Sequence, residues 1–412
     1  MHKEYKLLEK LYFIRLGGSE EELKACQIVQ DELKELGLES RIESFDVSMT
    51  RDSQAFMEVT LPYNKHYDVT AYEALDDVEE LVGELYYFEQ DTPVCREAVK
   101  GKIALINGYL NGRTLKALTE AKAIGFISYS GDIDRNYNDL DVREYRAMLK
   151  PFGYLPGVHM KVNDAMELVE MQAKEVRFGF KQKVTTEKSY NLICDIKGES
   201  DDVIVCSAHI DTVPFSKGAY DNATGSVALY KIAEVVKDMK LKHNVRLIWC
   251  GSEERGLIGS REYVKMHKDE LEDIKLCVNV DMIGSIMGKR IAVCSGHESL
   301  VHYTDYYGKM NGYPMEVTQG AYSSDSTSFA EVGIPGLTFA RITHPGTGSI
   351  HSCNDVIEHM SERLLNEDCV FIANYVKDLA QSYVIPVPRE IPDKVKDDVE
   401  KMFGKHLLKK ED

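Results

Sequence analysis

The sequence lacks the features that would direct it into a membrane or onto a nucleic acid. No apolar run is long enough to span a bilayer, and the first residues, Met1 to Lys6, lack the apolar stretch of a signal peptide. The formal net charge is -18 at pH 7, and no stripe of basic residues is present. We therefore expect a cytoplasmic protein with no membrane partner and no nucleic-acid partner.

The sequence also has no Cys-x-x-Cys pair, so we do not expect cysteine-ligated zinc. Its 9 cysteines are odd in number and scattered, and Cys206, Cys250 and Cys277 fall inside apolar runs. This pattern predicts buried thiols in a reducing compartment rather than a disulfide framework. No internal repeat or low-complexity tract is present, and 412 residues are enough for two domains.

What the sequence has instead is a set of acidic and histidine residues at the ends of predicted strands. The apolar, β-branched run 203–211 predicts a buried strand that carries His209 and Asp211 at its carboxyl end. A turn then leads to a predicted helix, 226–239, with Asp221 just before it. The first predicted strand-to-helix crossing therefore supplies one histidine and two carboxylates.

A second predicted strand-to-helix crossing also has acidic residues directly after its strand. The run 245–250 predicts a strand, and Glu253 and Glu254 follow it at the start of another helix. A third apolar run, 276–284, contains Asp281. Because ligands bind outside the carboxyl ends of strands in open parallel sheets, we expect these acidic residues to converge.

The chemistry of this set favours a metal site. An ionised carboxylate within an apolar strand, as predicted for Asp281, is costly unless a cation lies nearby. His351 follows on a glycine-rich loop, 346–355, before a long helix. Imidazoles and carboxylates together suit zinc, although ligand type alone does not distinguish zinc from manganese or cobalt.

Each feature also has an ordinary explanation when it is taken alone. His209 and Asp211 could be a surface hydrogen-bonding pair, and Asp221 could be a helix N-cap. Glu253 and Glu254 could be an acidic first helical turn. Their joint occurrence at predicted strand ends is what favours the metal site.

Six ordered motifs resemble the co-catalytic di-zinc aminopeptidases, of the bacterial leucyl aminopeptidase and glutamate carboxypeptidase type. In chain order the motifs are His209-x-Asp211, Gly218-x-x-Asp221-Asn222-x-x-Gly225, Glu253-Glu254-x-Gly256-Leu257-x-Gly259-Ser260, Asn279-x-Asp281-Met282-x-Gly284, Ser324-Asp325-x-x-x-Phe329 and His351-x-x-x-Asp355. The resemblance implies an α/β fold with a mixed, mostly parallel central sheet flanked by helices. It also implies an exopeptidase that removes N-terminal residues from peptides with a free N-terminus.

The resemblance further implies a ligand set for two divalent metal ions, with Zn²⁺ expected. His209 and Asp281 would hold one ion, and Glu254 and His351 the other. Asp221 would bridge the two ions.

Two catalytic roles follow from the same resemblance. Asp211 would accept the second ring N–H of His209 and fix its orientation. Glu253 would be the general base for a water activated by the metals, and would pass the proton to the leaving amine. The Asp221–Asn222 peptide bond is expected to be cis. Asp355 could either cap the following helix or support the site, and Asp325 is expected to be structural.

The sequence departs from the family at one position. Ile350 precedes His351, where many relatives have a tyrosine that donates to the oxyanion. Tyr322, Ser323 and His344 are the candidate replacements.

Three alternatives to an aminopeptidase share this resemblance. A carboxypeptidase would use the same metals, and a basic residue such as Arg341 in the pocket would favour it. A glutaminyl cyclase relative would use one zinc ion. A metal-free binding protein, as in the transferrin receptor, would use the cleft for association only.

Residues 57–183 contain none of these motifs. Predicted elements there are a strand at 101–108, a helix at 114–124, a strand at 125–130 and a helix at 163–173. Their order resembles a protease-associated domain inserted in the catalytic domain. We therefore expect a catalytic domain of residues 1–56 and 184–390, an insert of residues 57–183, and a charged tail of residues 391–412.

Overall fold

The computed structural model describes residues 2–73, 75–133 and 140–405, and the chain divides into two compact units. The first unit comprises Met1–Val47 and Glu187–Met402, and the second comprises Ser48–Thr186 and Phe403–Asp412. These bounds differ by a few residues from the predicted division after residues 56 and 183. The two boundaries fall inside long strands, where composition gives no signal of a change.

The elements are numbered here in chain order. The strands are β1 (Ser40–Leu61), β2 (Lys65–Tyr67), β3 (Thr70–Ala71), β4 (Val78–Phe88), β5 (Ile103–Ile106), β6 (Gly125–Ser130), β7 (Gly157–Lys161), β8 (Glu175–Ile196), β9 (Val203–His209), β10 (Asn244–Cys250), β11 (Ile274–Val280), β12 (Lys289–Ser295), β13 (Glu316–Gln319) and β14 (Gly336–Ile342). The helices are α1 (Lys3–Lys10), α2 (Glu20–Glu35), α3 (Pro93–Ala98), α4 (Gly112–Glu120), α5 (Val162–Glu170), α6 (Thr224–Val236), α7 (Ile258–Met266), α8 (Glu298–Met310), α9 (Ser326–Glu331), α10 (Glu362–Gln381) and α11 (Asp393–Met402).

The first unit is built on a mixed sheet in the strand order β13-β12-β14-β11-β9-β10-β8. Strands β14, β11, β9 and β10 are mutually parallel, whereas β12 and β8 run antiparallel to their neighbours β14 and β10. Helices flank this sheet, and α6 packs against α1 and α10. The predicted fold class, α/β with a mostly parallel central sheet, is confirmed.

Helix α10 shows why these helices bind the core. Ile372, Tyr375, Val376 and Leu379 recur at three- and four-residue intervals, and all four are fully buried. Burying an apolar side chain of this size contributes about 1.5–3 kcal/mol. The helix is therefore held by its apolar face rather than by its intrinsic propensity.

The parallel strands bring the predicted site residues to one edge of the sheet. Cys250 at the end of β10 is in register with His209 at the end of β9. Strand β11 ends at Val280, so Asp281 follows the strand and is not inside it, which corrects the expectation from the apolar run. The Asp281 N–H donates to the Phe339 carbonyl at 3.0 Å and holds this strand end in place.

The second unit has the strand order β8-β4-β5-β6-β7-β3. Strands β4, β5, β6 and β7 are parallel to one another; helices α3 and α4 lie between β4, β5 and β6 in the chain, and α5 follows β7. The strands and helices expected from the sequence between residues 101 and 173 are present within a few residues. Identification of this unit as a protease-associated domain stays a prediction.

Two strands are much longer than the sequence indicates. Residues 39–47 and 189–198 have the apolar pattern that predicts strands, and they belong to β1 and β8, which continue through residues 48–61 and 175–188. These extensions are rich in charged and polar residues, and many of them are exposed. Residues 50–56 and 181–188, in the middle of these strands, bury neither face, so the apolar alternation breaks off there although the strands continue.

The expected charged tail contains helix α11. Val395 and Val399, four residues apart, are buried with relative exposures of 1% and 4%. This apolar pair was overlooked because acidic and lysine residues surround it. Residues 406–412 of the predicted tail lie outside the described residues.

No helix in the described parts of the chain combines the length and apolar character needed to cross a bilayer. All nine cysteines lie within the described ranges, and they form no disulfide there. Cys206, Cys250 and Cys277 are buried, as predicted.

The core of the second unit contains a buried histidine. The Nδ1 and Nε2 atoms of His159 lie 2.7 Å from Ser128 Oγ and 2.8 Å from Ser130 Oγ, and the ring is fully buried. Burial lowers the pKa of His159 to about 3, and the charge of Arg143 acts in the same direction. The ring is therefore neutral in the folded protein throughout the physiological range.

Stability should accordingly fall with acid, because the unfolded chain binds a proton at His159 that the folded chain excludes. Between pH 7 and pH 5 this group should cost about 2 kcal/mol of unfolding free energy, since an unfolded histidine titrates near pH 6.5. Urea unfolding at the two pH values should show a smaller loss in His159→Gln than in the wild type. Equal losses in the two proteins would contradict this assignment.

Candidate metal centre and active site

The carboxylate of Asp221 lies between two histidine rings. Its Oδ1 is 3.0 Å from His209 Nε2, and its Oδ2 is 3.2 Å from His351 Nε2. One carboxylate oxygen thus faces each imidazole. This is the arrangement expected of a residue that is shared by two neighbouring cation sites.

Each imidazole has a second carboxylate neighbour. His209 Nε2 is 3.6 Å from Asp281 Oδ1, and His351 Nε2 is 3.0 Å from Glu254 Oε2. Two overlapping groups of potential ligands result, and within each group the donor atoms lie within 4.8 Å of one another. All five residues that the sequence predicted as metal ligands are therefore brought together. The members are His209, Asp221 and Asp281 in one group, and Asp221, Glu254 and His351 in the other.

The buried atoms of this cluster fit a cation. Asp281 has a relative exposure of only 4%, yet no residue in the described parts of the chain donates a hydrogen bond to its Oδ1. A buried carboxylate oxygen without a donor is costly, and a metal ion would satisfy it. Imidazole nitrogens and carboxylate oxygens form a donor set that suits zinc.

The pKa shifts of the protein without metal also indicate that the carboxylates of the cluster need positive charge nearby. Although burial acts in the opposite direction, hydrogen bonds from His209 and His351 hold the pKa of Asp221 well below its usual range. Burial also opposes protonation of His209, but Glu253 and other nearby carboxylates raise its pKa well above the usual value. Glu254 is the main cause of the raised pKa of His351. Protons on the imidazoles thus balance the carboxylates where metal ions would otherwise do so.

Glu253, the predicted general base, lies beside this cluster. It forms a third group of potential ligands with His209 and Glu254. Burial raises the pKa of Glu253 well above its usual value, and the charges of Glu254 and Asp325 add to the shift. Asp325 is fully buried, and burial raises its own pKa to about 7.

Asp211 holds the turn that carries the two glutamates. Its carboxylate accepts the N–H of Glu253 at 2.9 Å and the N–H of Glu254 at 3.2 Å. His209 Nδ1 lies 3.2 Å from the Asp211 carbonyl oxygen and 3.5 Å from its carboxylate. The histidine ring thus lies nearer to the backbone carbonyl of Asp211 than to the carboxylate expected to accept its N–H. Asp211 also fixes the adjacent glutamate turn, a role that the sequence did not indicate.

The Asp221 turn is held by two further buried side chains. Asp355 accepts the N–H groups of Tyr220 at 2.7 Å and Asp221 at 3.0 Å. Asn222 Oδ1 accepts the N–H of Met282 at 3.1 Å, which joins this turn to the end of β11. The Asp221–Asn222 peptide bond is cis, as the resemblance implies. The N-cap of α10 is Ser361, so Asp355 supports the site and does not cap that helix.

Three residues in the site turns adopt left-handed backbone conformations although they have side chains. Ser252, Met282 and His351 have φ values of 51°, 60° and 52°. Such conformations cost about 1–3 kcal/mol each and persist where surrounding contacts dictate them. Each of these residues is a proposed ligand or is adjacent to Glu253 or Asp281 in the chain.

The remaining sequence candidates lie in different surroundings. Tyr322 is partly buried, and desolvation followed by the charge of Asp281 raises its pKa above the usual range. Ser323 and His344 are exposed, and Ile350 has a relative exposure of 41%. Tyr322 therefore interacts electrostatically with the acidic cluster.

This geometry agrees with a comparison to known families. Residues 191–376 match the family described as Peptidase family M28, and the matched segment contains every predicted ligand and Glu253. This segment is therefore similar to the members of peptidase family M28. The N-terminal residues of the first unit and the whole second unit lie outside the M28 match.

Relatives of this M28 segment include named aminopeptidases. Aminopeptidase YwaD of Bacillus subtilis is 32% identical over 237 residues, which cover 54% of this chain and 51% of that protein. Leucine aminopeptidase 2 of Trichophyton equinum is 31% identical over 199 residues, which cover 46% of this chain and 38% of that protein. The chain thus spans about half or less of the length of these curated relatives.

Solved structures with similar folds cover nearly the whole chain. BSAP, a zinc aminopeptidase from Bacillus subtilis, has a TM-score of 0.72 and 25% identity, covering 94% of this chain and 98% of that one. An aminopeptidase from Aneurinibacillus sp. strain AM-1 has a TM-score of 0.72 and 22% identity, and the match covers 93% of this chain and 95% of that one. The similarity in fold therefore extends well beyond the M28 segment.

Metal binding to the M28 site should release protons. The raised pKa values of His209 and His351 keep both rings protonated near neutral pH in the metal-free protein, and a metal ion displaces those protons. Apparent zinc affinity should therefore rise with pH. Calorimetric titration in two buffers of different ionisation enthalpy should give different heats at the same pH.

Identical heats in both buffers would contradict this account of the cluster. His302→Gln is a suitable control, because His302 is exposed on α8 and is not one of the proposed ligands. Its titration should match the wild type in both buffers.

Proposed function

We propose that the protein is a metal-dependent exopeptidase that hydrolyses N-terminal residues from peptides with a free N-terminus. The observation that carries the proposal is the shared Asp221 carboxylate, with His209 facing one oxygen and His351 the other. Two divalent ions, expected to be Zn²⁺, would each have an imidazole and a second carboxylate as further ligands. The aminopeptidase names of the M28 relatives support the same assignment.

In this proposal His209 and Asp281 would hold one ion, Glu254 and His351 would hold the other, and Asp221 would be shared between them. When bound, the ions supply Lewis-acid polarisation of the scissile carbonyl and lower the pKa of water at the site. The protein supplies the ligands in fixed positions, so little reorganisation is needed during reaction.

Glu253 is the proton carrier in this mechanism. Its raised pKa makes its carboxylate a stronger base than an exposed glutamate, which suits it to take a proton from the attacking water. The same side chain then passes that proton to the leaving amine. Asp211 keeps Glu253 in range by accepting its backbone N–H at 2.9 Å.

Tyr322 is the proposed hydrogen-bond donor to the oxyanion. It would take over the role of the tyrosine that many relatives have at the position of Ile350. Support comes from its burial and from the charges of Asp281, Asp221 and Glu253 that act on its hydroxyl. A phenol with a raised pKa keeps its proton and can donate it in a hydrogen bond as negative charge develops on the substrate.

The surroundings of Arg341 do not support the carboxypeptidase alternative. Arg341 is buried, and its Nε and Nη2 atoms donate to the two carboxylate oxygens of Asp368 at 2.8 Å each. Because the Arg341 guanidinium already forms a bidentate pair with Asp368, it is not available to hold a substrate carboxylate. We therefore retain the aminopeptidase as the proposed function.

Two further assignments are proposals at the same level. The parallel β4-β5-β6-β7 arrangement of the second unit supports its identification as a protease-associated domain. The absence of disulfides among the nine cysteines, all within the described ranges, supports the reducing, cytoplasmic location inferred from the sequence.

Substitution Glu253→Gln should remove most activity while leaving metal binding intact. An amide of the same shape accepts no proton, so kcat on an aminoacyl substrate should fall by about 10²–10⁴-fold. Glu262→Gln is the matched control, because Glu262 lies on α7 in an exposed ion pair with Lys265 at 3.0 Å. That control should keep the wild-type kcat.

The wild type should cleave peptides only when their N-terminus is free. A panel of paired free and N-acetylated peptides, assayed with both variants, tests this requirement. Three outcomes would each contradict the proposed function: cleavage of acetylated peptides, cyclisation of N-terminal glutamine without hydrolysis, and full activity in Glu253→Gln.

Substitution Tyr322→Phe should lower kcat with little change in KM. An oxyanion donor acts mainly in the transition state, and loss of one typically costs about 10²–10³-fold in kcat. His344→Gln is the matched comparison and should retain wild-type kinetics. A large effect of His344→Gln together with a silent Tyr322→Phe would reverse the assignment.

A further inference from the structure

The link from α1 to α2, together with the first turn of α2, contacts both turns that carry the proposed catalytic residues. This segment, residues 11–22, lies outside the M28 match at residues 191–376. The apolar spacing of residues 5–37 predicts only a pair of amphipathic helices here. Two of its charged residues, Arg15 and Glu22, are nevertheless fully buried.

Arg15 binds the turn that follows β9. Its side chain donates hydrogen bonds to the carbonyls of Ile210 at 2.7 Å, Lys217 at 2.8 Å and Gly218 at 3.1 Å. Its backbone N–H donates to Thr212 Oγ1 at 3.0 Å, and its carbonyl accepts the Thr212 N–H at 3.1 Å. The turn is thereby fixed at its beginning and at its end.

Gly218 shows how closely Arg15 approaches the ligand turn. The residue has a φ of +54°, and a Cβ there would lie 2.4 Å from the Asp221 carbonyl and 3.0 Å from Arg15 Nη2. The bound turn therefore ends in direct contact with the backbone of the bridging residue. Arg15 acts on Asp221 through this turn and not through its own side chain.

Glu22 binds the second turn in a similar way. Its Oε1 accepts the Ser252 N–H at 2.9 Å and the Ser189 hydroxyl at 2.9 Å, and its Oε2 accepts the Gly18 N–H at 3.0 Å. Ser252 directly precedes Glu253. The left-handed conformation of Ser252, with φ 51°, is thus supported by a buried carboxylate.

The fit between Glu22 and this turn leaves no spare room. A Cβ at Gly251 would lie 2.4 Å from Glu22 Oε1. With Asp211 on the N–H groups of Glu253 and Glu254, three successive amides of the turn donate to two buried carboxylates.

We propose that Arg15 and Glu22 are positioning residues of the active site, with Arg15 fixing the turn before Asp221 and Glu22 fixing the turn that carries Glu253. The inference rests on the proposed function, because the positioned residues are its bridging ligand and its base. It implies that the M28 segment needs the N-terminal segment to form a competent site.

Conservative substitutions separate positioning from bulk stability. Three donors converge on Glu22, so the amide in Glu22→Gln must turn its NH₂ group towards at least one of them. Lysine in Arg15→Lys keeps the charge but loses the planar fork that serves several carbonyls. Glu4→Gln is the matched control, because Glu4 is a buried glutamate of α1 whose partner is Lys231 at 2.8 Å.

The experiment measures kcat and KM together with amide hydrogen exchange by mass spectrometry, in the full-length chain loaded with zinc. We expect kcat to fall by about 10- to 100-fold in Glu22→Gln and in Arg15→Lys, with KM nearly unchanged, because small misplacements of catalytic groups have effects of this size. Exchange should rise by roughly tenfold at residues 251–257 in Glu22→Gln and at residues 210–221 in Arg15→Lys. Glu4→Gln should change neither kcat nor exchange in these turns.

Equal loss of kcat in Glu4→Gln, or wild-type kcat and exchange in both test variants, would overturn the proposal. If the wild type itself hydrolyses none of the peptides, the proposed function fails, and the exchange measurement still decides whether the two residues fix the turns. Unchanged exchange in the two turns would then overturn the positioning proposal independently.

Discussion

The sharing of one buried carboxylate by two imidazoles is the interaction on which the rest of the first unit depends. Asp221 faces His209 and His351 at 3.0 and 3.2 Å, and the carboxylates of Asp281 and Glu254 approach the same rings. Such a concentration of negative charge is unfavourable in a buried site unless cations or protons balance it. The parallel strands β9, β10 and β11 create the cluster by ending at the same edge of the sheet.

The backbone around the cluster is held by buried groups that touch no proposed metal position themselves. Asp355 fixes the Asp221 turn, Asp211 and Glu22 fix the Glu253 turn, and Arg15 spans the turn after β9. Each of these buried side chains makes more than one hydrogen bond, and losing a buried hydrogen-bond partner is costly, so each turn is held in one conformation. A rigid frame of this kind is what preorganised catalysis requires.

The sequence was informative where chemistry and periodicity coincide. The apolar runs ending at His209 and Cys250 predicted two strand ends, and the spacing of the acidic residues after them predicted the ligand cluster. Arg15 and Glu22 were missed because their partners are backbone groups some 200 residues away, which leave no local pattern. The extensions of β1 and β8 were missed because residues 50–56 and 181–188, in the middle of these strands, bury neither face and so interrupt the apolar alternation.

The central claim is that this chain holds a pair of divalent ions around Asp221. The most direct test is elemental analysis of the full-length protein after zinc loading and removal of loosely bound metal, with Asp221→Ala analysed alongside. The account predicts two zinc ions per chain in the wild type, and loss of tight binding when the shared carboxylate is removed. A wild-type protein that retains one ion or none, or an Asp221→Ala variant that retains both, would contradict it.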